Sequence, residues 1–154
     1  MLTWDLFGEA SRELAQQVVD SGFDVDVVVA VARGGLLPAG AISYALGTKV
    51  CGALNVEFYT GVDERLLEPT VLPPLLDTAA MHGLRALVVD DVADTGETLA
   101  LVQRLVSQHC DEVRTAVLYA KSHSVVDPDF VWRRTDRWIT FPWSAQEPVT
   151  RRAG

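Results

Sequence analysis

The chain has 154 residues, 49% of them hydrophobic, with 13 Lys and Arg against 21 Asp and Glu for a formal net charge of -8. That length and apolar share support one sizeable core, expected as a single domain over 1–154. The acidic balance, without a basic stripe, repels a nucleic-acid backbone, and the lack of any run of about 18 apolar residues argues against a membrane-spanning helix.

The opening residues Met1 to Glu9 lack the basic and unbroken apolar regions of a signal peptide, so a soluble cytoplasmic protein is expected. Cys51 and Cys110, far apart and without C-x-x-C spacing, are expected as buried free thiols.

Between Asp5 and Asp20 the apolar residues Leu6, Phe7, Ala10, Leu14, Val18 and Val19 recur at three and four positions, the spacing of one helical face, and Ser21-Gly22 closes the helix. Val25 to Val31 is nearly continuous Val and Ala, the pattern of a strand covered on both faces. It stops at Ala32-Arg33-Gly34-Gly35. Leu36 to Leu46 then reads as a helix, with Pro38 near its start and Gly47 just past its end.

Val50 to Phe58 reads as a second strand. From Tyr59 to Pro74 periodicity is lost over a long loop with three prolines, and a loop of that length in a compact domain is commonly functional. A third strand spans Arg85 to Asp91, a helix runs from Glu97 to about His109, and a fourth strand runs from Glu112 to Ala120. The β-α-β alternation predicts an α/β domain, a parallel sheet flanked by helices whose ligands sit beyond the C-terminal strand ends. Beyond Phe130 the chain concentrates Trp132, Trp138, Ile139, Phe141 and Trp143, with Arg133, Arg134 and Arg137 read as a solvated turn.

The strongest chemical signal is Ala86-Leu87-Val88-Val89-Asp90-Asp91-Val92-Ala93-Asp94-Thr95-Gly96-Glu97-Thr98, an apolar strand running into acids, a Thr-Gly turn and a helix start. Unpaired N–H groups and the positive dipole end of the helix suit a phosphate, and Gly96 allows close approach. Thr95 and Thr98 add hydroxyl donors. No P-loop lysine is present. Asp90 and Asp91 would repel a bare phosphate, so ribose hydroxyls or a hydrated Mg²⁺ are expected beside it. Helix capping explains one Asp or Thr here, but neither the acidic pair nor the glycine.

This stretch resembles the phosphoribosyl pyrophosphate signature of type I phosphoribosyltransferases: an apolar run, two acids, two small or apolar residues, then Asp-Thr-Gly-x-Thr. Val29 to Pro38 is similar to the family's pyrophosphate loop, in the Arg-Gly-Gly form of the xanthine-guanine enzymes. The resemblance implies that Asp90, Asp91, Ala93, Asp94, Thr95, Gly96, Glu97 and Thr98 bind the ribose and 5-phosphate. Ala32, Arg33, Gly34 and Gly35 would bind pyrophosphate, the glycines offering backbone N–H groups, and Asp90 and Asp91 would serve Mg²⁺. Asp94 corresponds to the carboxylate that faces the purine N7 and is the implied catalytic group.

Lys121, closing the fourth strand, corresponds to the family's purine-reading lysine. Arg137 to Trp143 is similar to the hood of the purine enzymes, which puts Trp138 on the base face and Ile139 at its edge. The hood spans about 130–144, and a flexible lid spans about 59–74 with Tyr59 at its head. One departure stands out: the hood commonly ends Pro-Trp-Asp or Pro-Trp-Glu, whereas this chain has Pro142-Trp143-Ser144.

The implied activity is transfer of ribose phosphate from phosphoribosyl pyrophosphate to a 6-oxopurine, by a homodimer or homotetramer. Three other readings stay open on the residues alone. They are a different nitrogen acceptor, a sensor that binds phosphoribosyl pyrophosphate without turnover, and aspartyl phosphate chemistry at Asp90-Asp91.

Overall fold

The computed structural model describes residues 1–57, 70–71 and 79–153. The helix α1 (Trp4–Asp20) starts where Thr3 Oγ1 accepts the Leu6 N–H at 3.2 Å, and its buried residues Phe7, Ala10, Leu14 and Val18 lie on one stripe. The strand β1 (Val27–Ala32) leads into α2 (Leu36–Leu46), which Gly47 ends in the left-handed conformation. After β2 (Cys51–Glu57) and the two-residue β3 (Thr70–Val71), a 3-10 turn at Ala79–Met81 leads into β4 (Arg85–Ala93). The helix α3 (Glu97–Ser107), β5 (Glu112–Ala120) and β6 (Phe130–Arg134) complete the order.

The six strands lie in the order β3-β2-β1-β4-β5-β6. Five are parallel, and β3 pairs antiparallel with β2 at the edge. The Val-rich run of β1 is explained by its cover. Val28 and Ala30 join Leu87, Val89, Ala116 and Leu118 against α1 and α2, while Val27, Val29 and Val31 join Val88, Val117, Leu99, Val102 and Val106 against α3. Alternate side chains therefore enter two cores, and neither face can carry polar groups cheaply.

Two expectations need correction. Cys51 is exposed and Cys110 is only partly buried, because Cys51 opens β2 and burial along that strand begins at Ala53. Arg133 and Arg134 belong to β6 rather than a turn: Arg133 stacks over the Trp132 ring at 4.1 Å, and Arg134 pairs with Asp127 at 2.7 Å. Phe130 to Arg134 shows no clean alternation because both its apolar and its charged residues find partners in this edge strand. Tyr59 and nearly all of the stretch 59–74 lie outside the described residues.

Gly35 is held between strands. A Cβ there would meet the carbonyl oxygens of Val31 and Val89, both at 2.5 Å, whereas Gly8, exposed within α1, has nothing within 4 Å. Gly35→Ala is expected to lower unfolding free energy by about 1–3 kcal/mol through overpacking. Gly8→Ala is expected to raise it by about 1 kcal/mol through helix propensity. Urea denaturation of both variants checks the pair, and equal effects would contradict this account.

Candidate active site

The Arg33 loop, the acids with the turn that follows them, and Lys121 sit at the C-terminal ends of β1, β4 and β5, which are neighbours in the sheet. Their C-terminal ends are aligned, with Ala93 opposite Ala120 and Lys121 N donating to the Ala93 carbonyl at 2.9 Å. This register gathers residues distant in sequence. A cleft of about 280 Å³ is lined by Ala32, by Asp90 to Gly96 and by Thr98. A larger hollow of about 500 Å³ lies between Ser43 and Cys51 at the far end of α2, where Lys49 is the only charged side chain lining it among the described residues. The smaller cleft holds the acids and the phosphate-type turn, so size alone misleads.

The loop after β1 lies against the acids on β4. A Cβ on Gly34 would collide with the Asp91 carboxylate, so only glycine lets the backbone come this close. The Ala32–Arg33 peptide bond is cis. The Gly35 N–H donates to Val31 O at 2.8 Å, so it is already engaged within the loop. The Gly35 position is also too crowded for a side chain, whereas Arg33 is exposed at the loop's tip.

Asp90 is nearly fully buried, and burial first, then the neighbouring Asp91 charge, pushes its pKa well above the ordinary 3.8. Burial raises Asp91 as well, against opposing hydrogen bonds, those with Asp90 and with the Val92 backbone foremost. Asp90 Oδ1 accepts the Asp91 N–H and Asp91 Oδ1 accepts the Val92 N–H, both at 2.8 Å. Each carboxylate is thereby oriented by local backbone.

A divalent cation fits this pair. Mg²⁺ is commonly held by one or two carboxylates, with water and substrate oxygens filling its other positions, and a cation would relieve the burial and repulsion that penalise the ionised acids.

At the turn, Gly96 has φ +81° and is the N-cap of α3, so it brings no side chain to the first helical turn. Thr95 Oγ1 accepts the Glu97 N–H at 3.3 Å. Asp94 and Thr95 are exposed, and Thr98 is half-buried on the cleft wall. Ala93 is buried and Glu97 lies outside the cleft lining.

Beyond β5, Lys121 Nζ donates to the Arg137 carbonyl, which draws the lysine to the residue before Trp138. The segment after β6 is tied down on two sides. Asp136 accepts the Ser122 N–H at 2.8 Å and the Ser122 hydroxyl at 2.9 Å, and Leu2 N donates to Thr140 O at 3.0 Å. Trp143 stacks on Phe141 at 5.0 Å and meets Phe7 edge-on at 5.3 Å. Trp132 meets Tyr119 edge-on, with its indole N–H donating to Glu13 at 2.6 Å.

Trp138, by contrast, is 90% exposed. An open aromatic face on a segment otherwise anchored suits stacking on a flat ring. Ile139 beside it is half-buried against the core.

One neighbour of the acidic turn was missed from sequence. His123 Nε2 lies 2.8 Å from Asp94 Oδ1. It does not follow from motif spacing, since it depends on how the loop after β5 folds back along the turn after β4.

The Phosphoribosyl transferase domain model matches residues 1–148. The chain is 31% identical to the xanthine-guanine phosphoribosyltransferase of Gluconobacter oxydans (strain 621H) over 144 residues, covering 92% of this chain and 82% of that protein. It is 29% identical over 147 residues to the enzyme of the same name from Nitratidesulfovibrio vulgaris, covering 94% and 84%. Among solved structures, the purine phosphoribosyltransferase from Pyrococcus horikoshii OT3 superposes with a TM-score of 0.82 at 35% identity, covering 98% of this chain and 97% of that one.

The raised Asp90 pKa has a signed consequence for stability. A carboxylic acid whose folded pKa exceeds its unfolded value binds protons more tightly when folded, so it adds no penalty at pH below 3.8. The penalty then grows as pH rises through the folded value. Asp90→Asn is therefore expected to gain thermal stability relative to wild type as pH is raised above the ordinary carboxyl value of 3.8. Melting curves across that range check it, and a difference that shrinks with pH would overturn the buried-charge account.

Proposed function

The chain belongs to the phosphoribosyl transferase domain family, and from that premise we propose that it transfers ribose 5-phosphate from phosphoribosyl pyrophosphate to a 6-oxopurine, releasing pyrophosphate. The observation that carries this reading is the convergence of the Arg33-Gly34-Gly35 loop, the Asp90 to Thr98 turn and Lys121 at three adjacent strand ends. The xanthine-guanine and purine names borne by its relatives support the choice of base.

In this reading the turn at Thr95 to Thr98 receives the 5-phosphate through backbone N–H groups and hydroxyls. Asp90 and Asp91, pre-oriented by their own backbone, accept from the ribose hydroxyls and would hold Mg²⁺. That cation would supply positive charge to offset the anionic substrate. Arg33 offers a planar fork of donors to the leaving pyrophosphate, and the Gly34 backbone approaches it closely.

Trp138 stacks on the base and Ile139 meets its edge. Lys121 donates to the 6-oxo oxygen, exchanging the Arg137 carbonyl for it. Asp94 faces N7 and shares its proton as N9 attacks C1 of the ribose. The segment up to residue 144 forms the hood, which helps keep water from the oxocarbenium-like state.

The same reading makes the protein a cytoplasmic dimer or tetramer. Leu36, Leu37 and Tyr44, exposed along α2, offer an apolar surface for a second copy. No helix among the described residues is long and apolar enough to cross a membrane.

Pyrophosphate release with phosphoribosyl pyrophosphate, Mg²⁺ and a panel of hypoxanthine, guanine, xanthine, adenine, uracil and orotate tests the proposal. Release dependent on a 6-oxopurine, abolished by EDTA, is expected. Tight phosphoribosyl pyrophosphate binding without turnover on any base would overturn it in favour of a sensor. Asp94→Asn is expected to lower kcat about 100-fold while calorimetric affinity for phosphoribosyl pyrophosphate changes little, because the phosphate donors remain. Trp138→Ala is expected to raise KM for the base about three- to ten-fold without lowering the melting temperature, since the ring is not packed in the core.

A further inference from the structure

The loop that follows β5 runs along the acidic turn and is anchored to it on both sides of one residue. Lys121 N donates to Ala93 O at 2.9 Å and Val125 N donates to Thr95 O at 2.8 Å. Ser124 Oγ occupies the space that a Cβ on Gly96 would need. Between these anchors His123 Nε2 lies 2.8 Å from Asp94 Oδ1. The two side chains are 59% and 61% exposed, so burial does not force them together. The paired backbones do.

We propose that His123 is a positioning residue for Asp94, fixing the carboxylate that meets the purine base. The proposal rests on the reading of Asp94 given above. An ionised carboxylate only accepts hydrogen bonds, so Nε2 must carry the hydrogen in this contact. The bond restrains Asp94 through Oδ1 and leaves Oδ2 with its acceptor capacity for the base. An exposed aspartate otherwise samples several rotamers, and restraint of a reacting group near its working geometry speeds a reaction.

The effect of one such exposed hydrogen bond is modest. His123→Ala is expected to lower kcat with the preferred 6-oxopurine about three- to ten-fold, with KM for phosphoribosyl pyrophosphate unchanged. His123→Gln, whose amide N–H can stand where Nε2–H stands, is expected to recover most of that loss. In an Asp94→Asn background, His123→Ala is expected to change kcat by no more than about two-fold, because the two residues act through one group. An undiminished loss in that background, or no loss from His123→Ala in the wild type, would overturn the proposal.

The contact is also tested without turnover. Ring ¹⁵N shifts of His123 at pH 8 are expected to report the Nε2–H tautomer in the wild type and to move in Asp94→Asn. A wild-type ring in the Nδ1–H tautomer would overturn the proposal even in an active enzyme. Failure of the transferase reading has a different signature, the wild type releasing no pyrophosphate with any base.

Discussion

Both faces of the central strands are covered, and that constraint determines where chemistry can occur. With α1 and α2 on one side and α3 on the other, side chains of β1, β4 and β5 alternate between two apolar cores. A polar group on either face would lose its water without gaining a partner. Polar residues are consequently displaced to the strand ends, and parallel pairing puts the C-terminal ends of β1, β4 and β5 on the same edge. The glycine loop, the acidic pair and the lysine meet there because the sheet leaves them nowhere else.

Asp90 is the exception that marks the site. It is the last residue of the strand's interior run and carries a charge into a place that penalises it. Nothing in the fold requires an acid at this position, and no arginine or lysine among the described residues neutralises it. A cost that one backbone N–H only partly offsets is characteristic of a group kept for what it binds. Gly34 fits the same logic, since its missing side chain brings a backbone segment against Asp91.

Much of this was legible in the residues. The Val run of β1 announced two-sided burial, and the helical spacing of Leu14, Val18 and their neighbours marked α1 to within a residue at its start. Asp90 to Thr98 and Arg33 to Gly35 stand out because their chemistry is encoded within a few consecutive positions. What escaped was long-range. β6 mixes apolar and charged side chains because it is an edge strand, so its five residues carry no clean period. The Asp94–His123 contact joins residues 29 apart, and a lone histidine carries no signal until the loop after β5 is in place. The engaged Gly35 amide is likewise invisible in an Arg-Gly-Gly motif, which gives the residues but not their hydrogen bonds.

The clasp between the first residues and the C-terminal segment bears on the order in which the molecule is made. Leu2 bonds Thr140, and Trp4 and Phe7 meet Trp143, across nearly the whole chain. During synthesis the sheet from β1 to β5 can assemble domain-like from its successive neighbours, but this flank of α1 has no partner until residues 140–143 leave the ribosome. The segment bearing Trp138 is thus among the last parts of the site to be fixed. A nascent chain can own a finished turn from Asp94 to Thr98 while the wall that carries Trp138 is still missing.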